Sequence, residues 1–259
     1  EGYELRKDLI GLGCCVDHLH VSSNHVTPTY LKPRDITDPS LAGEHSRYDF
    51  KNRSRTPDEL RERITMSVKT LLPQVHGVIV LDQVEEEDCG VVTRALKGFL
   101  AEQARQYPNV IFWADSRRRI RDFRRLHLKC NQFELIGVEP DPAGAEPEWD
   151  LLIQAMQEFR KANGAPIVVT LGKHGMLVSD PVVTWIPGVK VSGPTDPTGA
   201  GDSATAGAVA SLACGATLPE AALIGNLVAS ITVQQLATTG TARPEELPPR
   251  LQMWIDQQR

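Results

Sequence analysis

The stretch Asp196–Asp202, which reads DPTGAGD, places small residues between two carboxylates, and an apolar run with helical spacing follows it directly. Gly199 and Gly201 allow the backbone to turn sharply and to approach a ligand closely. A helix that begins near Gly201 would direct its unpaired N–H groups and its positive dipole end at that turn, which predicts an anion site. Asp202 would stand beside the anion, where a carboxylate suits deprotonating a hydroxyl that attacks a phosphoryl group. The alternative interpretation is an ordinary glycine turn capped by Asp202.

The composition is that of a globular domain with a sizeable core. The 259 residues are 41% hydrophobic and 24% charged, and the formal net charge of −5 predicts no general attraction to nucleic acid or to an anionic membrane. The five cysteines show no Cys-X-X-Cys spacing, which indicates reduced thiols. No apolar run is long enough to span a bilayer and the N-terminus lacks a signal-peptide pattern, so we predict a cytoplasmic protein of one domain, 1–259.

The rest of the chain alternates strand and helix patterns, which predicts an α/β fold with a mostly parallel sheet. Continuous apolar runs predict buried parallel strands at 77–82, 110–115 and 167–171. Shorter extended segments are predicted as a strand at 18–22, an edge or lid-like ribbon at 27–36, a strand at 47–50 and a hairpin across 176–186. Helical spacing is predicted at 3–12, 57–72 with Thr56 as its cap, 88–106, 202–214, 218–236 and 245–257. The segments 37–46, 139–148 and 239–249 are predicted as loops.

Other polar residues are predicted to meet at the carboxyl ends of the strands, where ligands bind in open α/β sheets. Asp82 and Asp115 each close a strand, and the segment 170–175 follows a third with two glycines whose amides suit a polyphosphate. Asn131 and Glu134 are three residues apart, and this oxygen-only pair suits a hydrated Mg²⁺. Two structural alternatives remain, a plain turn at the glycines and a helix start that Asn131 and Glu134 cap.

Together these motifs resemble the ribokinase-like sugar kinases, also called the PfkB family. The resemblance implies a three-layer α/β/α fold with a small lid, here at about 23–50. It also implies that Asp202 is the catalytic base and that the amides of Gly199, Ala200, Gly201 and Asp202 form the anion hole. The nucleotide residues that it implies are Asn131, Thr170, Gly172, Gly175 and Asn226. Glu134 would organise magnesium, and Asp196 and Gly240 would lie near a bound monovalent cation such as K⁺.

The sequence departs from the family pattern in two places. It runs from about Gly77 to the C-terminus, and the family's first buried strand, with its substrate-binding Asp and Gly-Gly element, has no counterpart in the sequence. We therefore expect the 259 residues to bind ATP but to transfer phosphate poorly. Extra residues at about 234–239 also set the monovalent-cation site apart from the family pattern. Short segments at 27–29 and 47–49 look most like the branch that phosphorylates heptose phosphates.

The leading hypothesis is an ATP- and Mg²⁺-dependent kinase that acts on a hydroxyl of a sugar or sugar phosphate. A nucleoside or vitamin kinase on the same fold, or a nucleotide-binding pseudo-kinase or regulatory module, remain alternatives. A dinucleotide-dependent oxidoreductase is disfavoured because no Gly-X-Gly-X-X-Gly follows an early strand. The six arginines of 117–125 are interpreted as a phosphate clamp or as a solvated basic helix or oligomer contact. Monomer and homodimer both stay open.

Overall fold

The computed structural model describes residues 1–35, 37, 46–140 and 144–259. Parts of the predicted loops 37–46 and 139–148, and of the predicted lid, lie outside the described residues. The chain divides into two units, Glu1–Val75 with Asp82–Leu100, and His76–Leu81 with Ala101–Arg259. The assignment of one domain to 1–259 stays a prediction.

The first unit contains helices α1 and α2 and a small two-stranded sheet. Their bounds are α1 Gly2–Gly11, β1 Thr29–Leu31, β2 Tyr48–Phe50 and α2 Asp58–Leu71. The strands β1 and β2 pair antiparallel, with Tyr30 opposite Asp49, which confirms an extended ribbon in this part of the sequence.

Two predictions for this unit were wrong. The segment 18–22 is not a strand, because its alternating side chains have no neighbouring backbone ladder among the described residues. Thr56 is not the cap of α2, since Pro57 occupies the N-cap position and the Thr56 hydroxyl instead donates to the Gly90 carbonyl at 2.7 Å.

The second unit is built on a six-stranded sheet in the order β3-β4-β5-β6-β7-β8. The strands are β3 Gly77–Asp82, β4 Ile111–Ser116, β5 His127–Asn131, β6 Ile167–Thr170, β7 Gly175–Val178 and β8 Thr184–Pro187. The remaining helices of the chain are α3 Arg94–Gln106, which the division between the units splits after Leu100, and α4 Gln132–Ile136, α5 Trp149–Asn163, α6 Ala200–Ala213, α7 Leu218–Thr232 and α8 Leu247–Gln257 of the second unit. Strands β4, β5 and β6 are parallel, whereas β7 and β8 are antiparallel and form the predicted hairpin. The predicted α/β fold is confirmed.

The core lies between the sheet and the helix pair α6 and α7. Val168 and Met176 from the sheet pack with Ala204, Ala208 and Ala221 from the helices. The small side chains allow α6 and α7 to come close together, and a β-carbon on Gly207 would lie only 2.9 Å from Val228 Cγ2. Side chains alternate along a strand, so the neighbours of Val168 face the other side of β6, where α4 and α5 contact the strand.

Strand β3 is less buried than its apolar sequence predicts. Ile79 and Leu81 are 43% and 42% exposed, because β3 ends the sheet that the described residues form. Two helices also differ in length from their predictions, since α3 begins only at Arg94 and α7 already ends at Thr232.

Candidate functional site

The carboxyl ends of the parallel strands bring several predicted site residues to one edge of the sheet. Asn131 at the end of β5 is the register partner of Thr170 at the end of β6. Asp115 on β4 is the register partner of Lys129 on β5, two residues before Asn131. The N-terminus of α6 approaches the same edge, because a β-carbon built on Gly201 would lie 3.1 Å from the Lys129 ammonium nitrogen. The glycine string and the Asn131 segment are therefore neighbours in space.

The DPTGAGD string forms a tight turn into α6. Gly199 is the N-cap with φ of 77°, a left-handed conformation that favours glycine. The Asp196 carboxylate holds the turn by accepting the Thr198 amide at 3.0 Å. A β-carbon on Gly199 would also approach the Thr239 Cα to 3.1 Å, so the position allows no side chain without displacement.

The first turn of α6 is left without a side-chain cap. Gly199 has no side chain to cap the helix, and the Ala200 amide donates to the Pro197 carbonyl at 3.1 Å. Within the described residues the amides of Gly201 and Asp202 have no backbone acceptor. The exposed Asp202 carboxylate makes no hydrogen bond to those amides. The arrangement can accept an anion at the amides and leaves the carboxylate available to take a proton.

Asn131 and Glu134 form a complete capping box at the start of α4. The Asn131 side-chain oxygen accepts the Phe133 and Glu134 amides at 2.9 and 2.8 Å, and Glu134 Oε2 accepts the Asn131 amide at 2.7 Å. The alternative prediction, that Asn131 and Glu134 cap the start of a helix, is therefore confirmed. Burial raises the pKa of Glu134, and the nearby Asp115 charge raises it further, whereas the Asn131 amide and Lys129 lower it.

The capping box engages only one of the two carboxylate oxygens of Glu134. Glu134 Oε1 has no hydrogen bond among the described residues, so one carboxylate oxygen remains for a hydrated cation. Magnesium keeps several waters and takes few protein ligands, so Glu134 fits the ion as a charged partner. No cluster of three or more His, Cys, Asp or Glu residues suited to a metal occurs in the described part of the chain.

The two glycines after β6 have different physical requirements. Gly175 has φ of 95°, and a β-carbon there would lie 2.2 Å from the Ile186 carbonyl oxygen, so it is needed for the close approach of β7 to β8. Gly172 has φ of 55° and open space around it. The Thr170 hydroxyl, at the end of β6, lies 3.4 Å from the Cys130 carbonyl. A phosphate contact at Thr170, Gly172 or Gly175 stays a prediction.

Asn226 lies in the middle of α7 and contacts the end of β8, which reaches the same edge of the sheet as the end of β6. Its side-chain NH₂ donates to the carbonyls of Ile186 and Pro187 at 3.0 and 3.2 Å, which ties α7 to the end of β8. Both N–H groups of the Asn226 side chain donate to these carbonyls, so only its side-chain oxygen could contact a nucleotide. Its role in nucleotide binding stays a prediction.

Asp196 and Gly240, the two residues predicted to lie near a monovalent cation, both contact other residues of the protein. Asp196 Oδ2 accepts the Ala237 amide at 3.1 Å, so the segment 234–239 supplies a donor to the carboxylate that was predicted to lie near a monovalent cation. A β-carbon on Gly240 would lie 2.8 Å from the Thr232 carbonyl oxygen. Each Asp196 oxygen accepts one amide and keeps a second lone pair, so a monovalent cation near Asp196 and Gly240 stays a prediction.

The arginine cluster 117–125 is not a basic helix. It contains only a single 3₁₀ turn, at Ile120–Asp122. Arg118 pairs with Glu139 at 2.7 Å, and the Arg121 guanidinium lies 5.0 Å over the ring of Phe159. Arg118 and Arg121 thus each contact another side chain of the protein.

Sequence analysis missed Lys129, because it did not recognise β5. The alternation of Leu126, Leu128 and Cys130 with polar residues was the available signal, and all three are buried. Lys129 is also buried, at 8% exposure, and its ammonium lies 2.5 Å from Asp115 Oδ2.

Comparisons with known proteins agree with this geometry. Residues 127–245 match the model of the pfkB family carbohydrate kinases. The bifunctional protein HldE of Stutzerimonas stutzeri is 34% identical over 100 residues, which cover 38% of this chain and 21% of that protein. Inositol 3-kinase of Arabidopsis thaliana is 43% identical over 72 residues, or 27% of this chain and 20% of the relative. The matches thus span about a fifth of the length of these curated relatives.

Solved structures show the same fold over more of the chain. Ribokinase of Thermotoga maritima superposes with a TM-score of 0.67 at 20% identity and covers 96% of this chain and 76% of its own. Phosphofructokinase-2 of Escherichia coli, in complex with potassium, has a TM-score of 0.63 at 18% identity and covers 83% and 67%. None of the helices in the described ranges is long and apolar enough to cross a membrane. The resemblance to the ribokinase-like, pfkB-family carbohydrate kinases is confirmed, in sequence over 127–245 and in fold over most of the chain.

Proposed function

We propose that this chain binds Mg²⁺-ATP at the carboxyl edge of its sheet and transfers the terminal phosphoryl group to a hydroxyl of a sugar or sugar phosphate. The observation that carries the proposal is the open N-terminus of α6, where the amides of Gly201 and Asp202 have no acceptor in the part of the chain that the structure describes and the Asp202 carboxylate caps neither of them. The pfkB match supports it, because it includes this turn. The names of the relatives, an inositol kinase and a ribokinase, support a polyhydroxylated acceptor.

Each residue has a defined part in the proposed transfer. Asp202 takes the proton from the acceptor hydroxyl as that oxygen bonds to the terminal phosphorus, while the bond from phosphorus to the bridging oxygen breaks and ADP leaves. The amides of Gly199, Gly201 and Asp202 stabilise the charge on the equatorial oxygens, whereas the Ala200 amide is already engaged by the Pro197 carbonyl and drops out of the predicted anion hole. Asn131 and Thr170 would contact the phosphate chain, and their pairing at the ends of β5 and β6 supports this assignment.

Magnesium would be held through water by Glu134 and supplies charge neutralisation on the phosphate oxygens when it is bound. Asn131 fixes the orientation of Glu134, because the capping box joins the two residues in both directions.

The Asp202→Asn variant tests the proposal. Turnover should fall roughly 10²- to 10⁴-fold through loss of the general base, with ATP affinity little changed. The measurement is ADP production with hexoses, heptose phosphates and nucleosides as acceptors, together with calorimetric ATP binding. Because the Asp202 side chain caps no amide of α6, thermal stability should not change and serves as the folding control. Near-normal turnover by Asp202→Asn would contradict the catalytic assignment.

The acceptor panel separates the alternatives. Turnover confined to nucleosides would favour a nucleoside kinase on the same fold. Binding of Mg²⁺-ATP with no turnover on any acceptor, both by these 259 residues and by a version extended at its N-terminus, would favour a nucleotide-binding pseudo-kinase or regulatory module.

A further inference from the structure

The segment 233–241, which follows α7 and is here called the brace, contains the extra residues by which the sequence departs from the family pattern. It contacts the DPTGAGD turn at two points. The Asp196 carboxylate, at the start of the turn, accepts the Ala237 amide at 3.1 Å. Further along the turn, a β-carbon on Gly199 would lie 3.1 Å from Thr239 Cα. The brace therefore packs against the turn whose amides the proposed transfer uses.

Asp196 connects the brace to the turn through both of its carboxylate oxygens. Oδ1 accepts the Thr198 amide inside the turn at 3.0 Å, and Oδ2 accepts the Ala237 amide of the brace. The Asp196 amide also donates to the Val233 carbonyl at 2.7 Å. A displacement of the brace would therefore move Asp196 and, with it, the turn that Asp196 holds.

Gln235 closes the brace on itself. Its side-chain NH₂ donates to the Thr241 carbonyl at 2.6 Å, and its side-chain oxygen accepts the Thr241 amide at 3.0 Å. Both residues that contact the turn lie between these fastened ends. The intervening residues 236–239 are exposed, so burial does not hold them in place. The two hydrogen bonds of Gln235 thus define the shape of the brace.

Ala237 adopts a backbone conformation that alanine avoids. Its φ is 57°, in the left-handed region that is unfavourable for a residue with a β-carbon and no polar side chain. Strain of this kind persists only where surrounding contacts impose it, and it concentrates at functional sites. The strained residue of the brace is the one that donates to Asp196, so the closure by Gln235 and the contact with the turn are parts of one arrangement.

We propose that Gln235 is a positioning residue for phosphoryl transfer, which holds the brace against the DPTGAGD turn and so fixes the direction in which the turn presents its amides. This inference rests on the proposed function and deepens it. Amides stabilise a transition state well only when they are in place before the charge develops. A displacement of about 1 Å can lower a rate by up to about 10²-fold. Gln235 would act through Asp196 and need not touch a substrate.

The test compares two neighbouring residues, Gln234 and Gln235, which each make two side-chain hydrogen bonds. Gln235→Met removes the closure of the brace with little change in side-chain volume. Gln234→Met is the matched control, because the Gln234 side chain donates to the Ser192 carbonyl and accepts from Arg250 Nη2. Both variants should lose a similar and small amount of thermal stability, since all four hydrogen bonds are exposed to solvent.

Turnover should separate the two variants. We expect Gln235→Met to lower kcat by about 10-fold with a smaller change in the KM for ATP, because the turn acts mainly on the transition state. Gln234→Met should keep the wild-type kcat. ADP production is measured with the same panel of acceptors, on the 259 residues and on a version extended at its N-terminus.

Hydrogen exchange reports on the turn without any need for turnover. The amides of Thr198 and Ala200 donate to Asp196 Oδ1 and to the Pro197 carbonyl, so they are protected while the turn is closed. Their exchange, followed by NMR, should become roughly 5-fold faster in Gln235→Met, as for loss of about one exposed hydrogen bond. The same amides should exchange at the wild-type rate in Gln234→Met.

The outcomes are distinct for the two proposals. If the wild-type chain transfers phosphate and Gln235→Met keeps the wild-type kcat, the inference about Gln235 is overturned and the proposed function stands. Unchanged exchange at Thr198 and Ala200 in Gln235→Met would also overturn it, because the turn would then not depend on the brace. If neither length of the wild-type chain transfers phosphate to any acceptor, the proposed function fails and the positioning role fails with it.

Discussion

The N-termini of α4 and α6 lie at this edge of the sheet, and they differ in whether side chains cap their backbone amides. At α4 the Asn131 side chain accepts two amides and Glu134 closes the box in return. At α6 the N-cap is Gly199, no side chain caps the helix, and the amides of Gly201 and Asp202 have no backbone acceptor among the described residues. An external anion can use only amides that the protein has not already satisfied, so α6 is the better anion site of the two.

The backbone geometry of the two caps explains the difference. Asn131 has φ of −89° and ψ of 173°, the extended conformation from which a side chain reaches the amides of the first turn. Gly199 has φ of 77°, which is left-handed and incompatible with that kind of capping. A short polar side chain thus closes one terminus, and a glycine keeps the other open.

The largest effect is expected from Gly199→Ala, which adds a methyl group at the open terminus. The left-handed backbone and the 3.1 Å approach to Thr239 should together cost about 1–3 kcal/mol of unfolding free energy. ATP affinity should also fall, because the turn that presents the amides must shift. Denaturant unfolding and calorimetry measure the two effects.

Gly215→Ala is the control, at the other end of α6. Its φ is 90° but no atom lies within 4 Å of the added carbon, so it measures the backbone strain alone. ATP affinity as low in Gly215→Ala as in Gly199→Ala would contradict a local effect at the anion site.

A smaller effect is expected from Asn131→Ala, which opens the closed terminus. Loss of the cap should cost about 0.5–2 kcal/mol of unfolding free energy. Thr217→Ala is the matched control, because Thr217 and Glu220 form a second capping box at α7. Both variants should lose similar stability, but only Asn131→Ala should also weaken Mg²⁺-ATP binding. Equal nucleotide affinity in the two variants would leave Asn131 as a cap alone.

The smallest effect on stability is expected from Glu134→Gln. The Gln oxygen can still accept the Asn131 amide, and burial already disfavours the charged form of Glu134, so unfolding free energy should change by less than about 0.5 kcal/mol. The Mg²⁺ concentration needed for half-maximal ATP binding should rise, because the hydrated ion loses a charged partner. Glu220→Gln at α7 is the control, and an unchanged Mg²⁺ dependence in Glu134→Gln would remove Glu134 from the site.

Sequence patterns predicted the long elements well and failed where tertiary contacts decide. The apolar runs of β4 and β6 and the helical spacing of α2, α6 and α8 are confirmed, because burial on a regular surface requires a regular pattern. Strand β5 was missed although Leu128 and Cys130 alternate with polar residues, and only the pairing with Asp115 makes the buried Lys129 acceptable. Thr56 was wrongly predicted as a cap because its hydroxyl prefers the carbonyl of Gly90, 34 residues away.

The sequence by itself determined the α/β class, the glycine turn into α6 and the family resemblance, because these depend on local periodicity and on residue types at fixed spacing. Only the tertiary structure decided which N-terminus is open, which glycine is needed for packing and which lysine lies beside the first turn of α6. Gly175 and Gly201 illustrate the difference, since one lies against the β8 backbone and the other against the Lys129 ammonium. Such roles depend on neighbours that are distant in the chain, and spacing along the sequence carries no information about them.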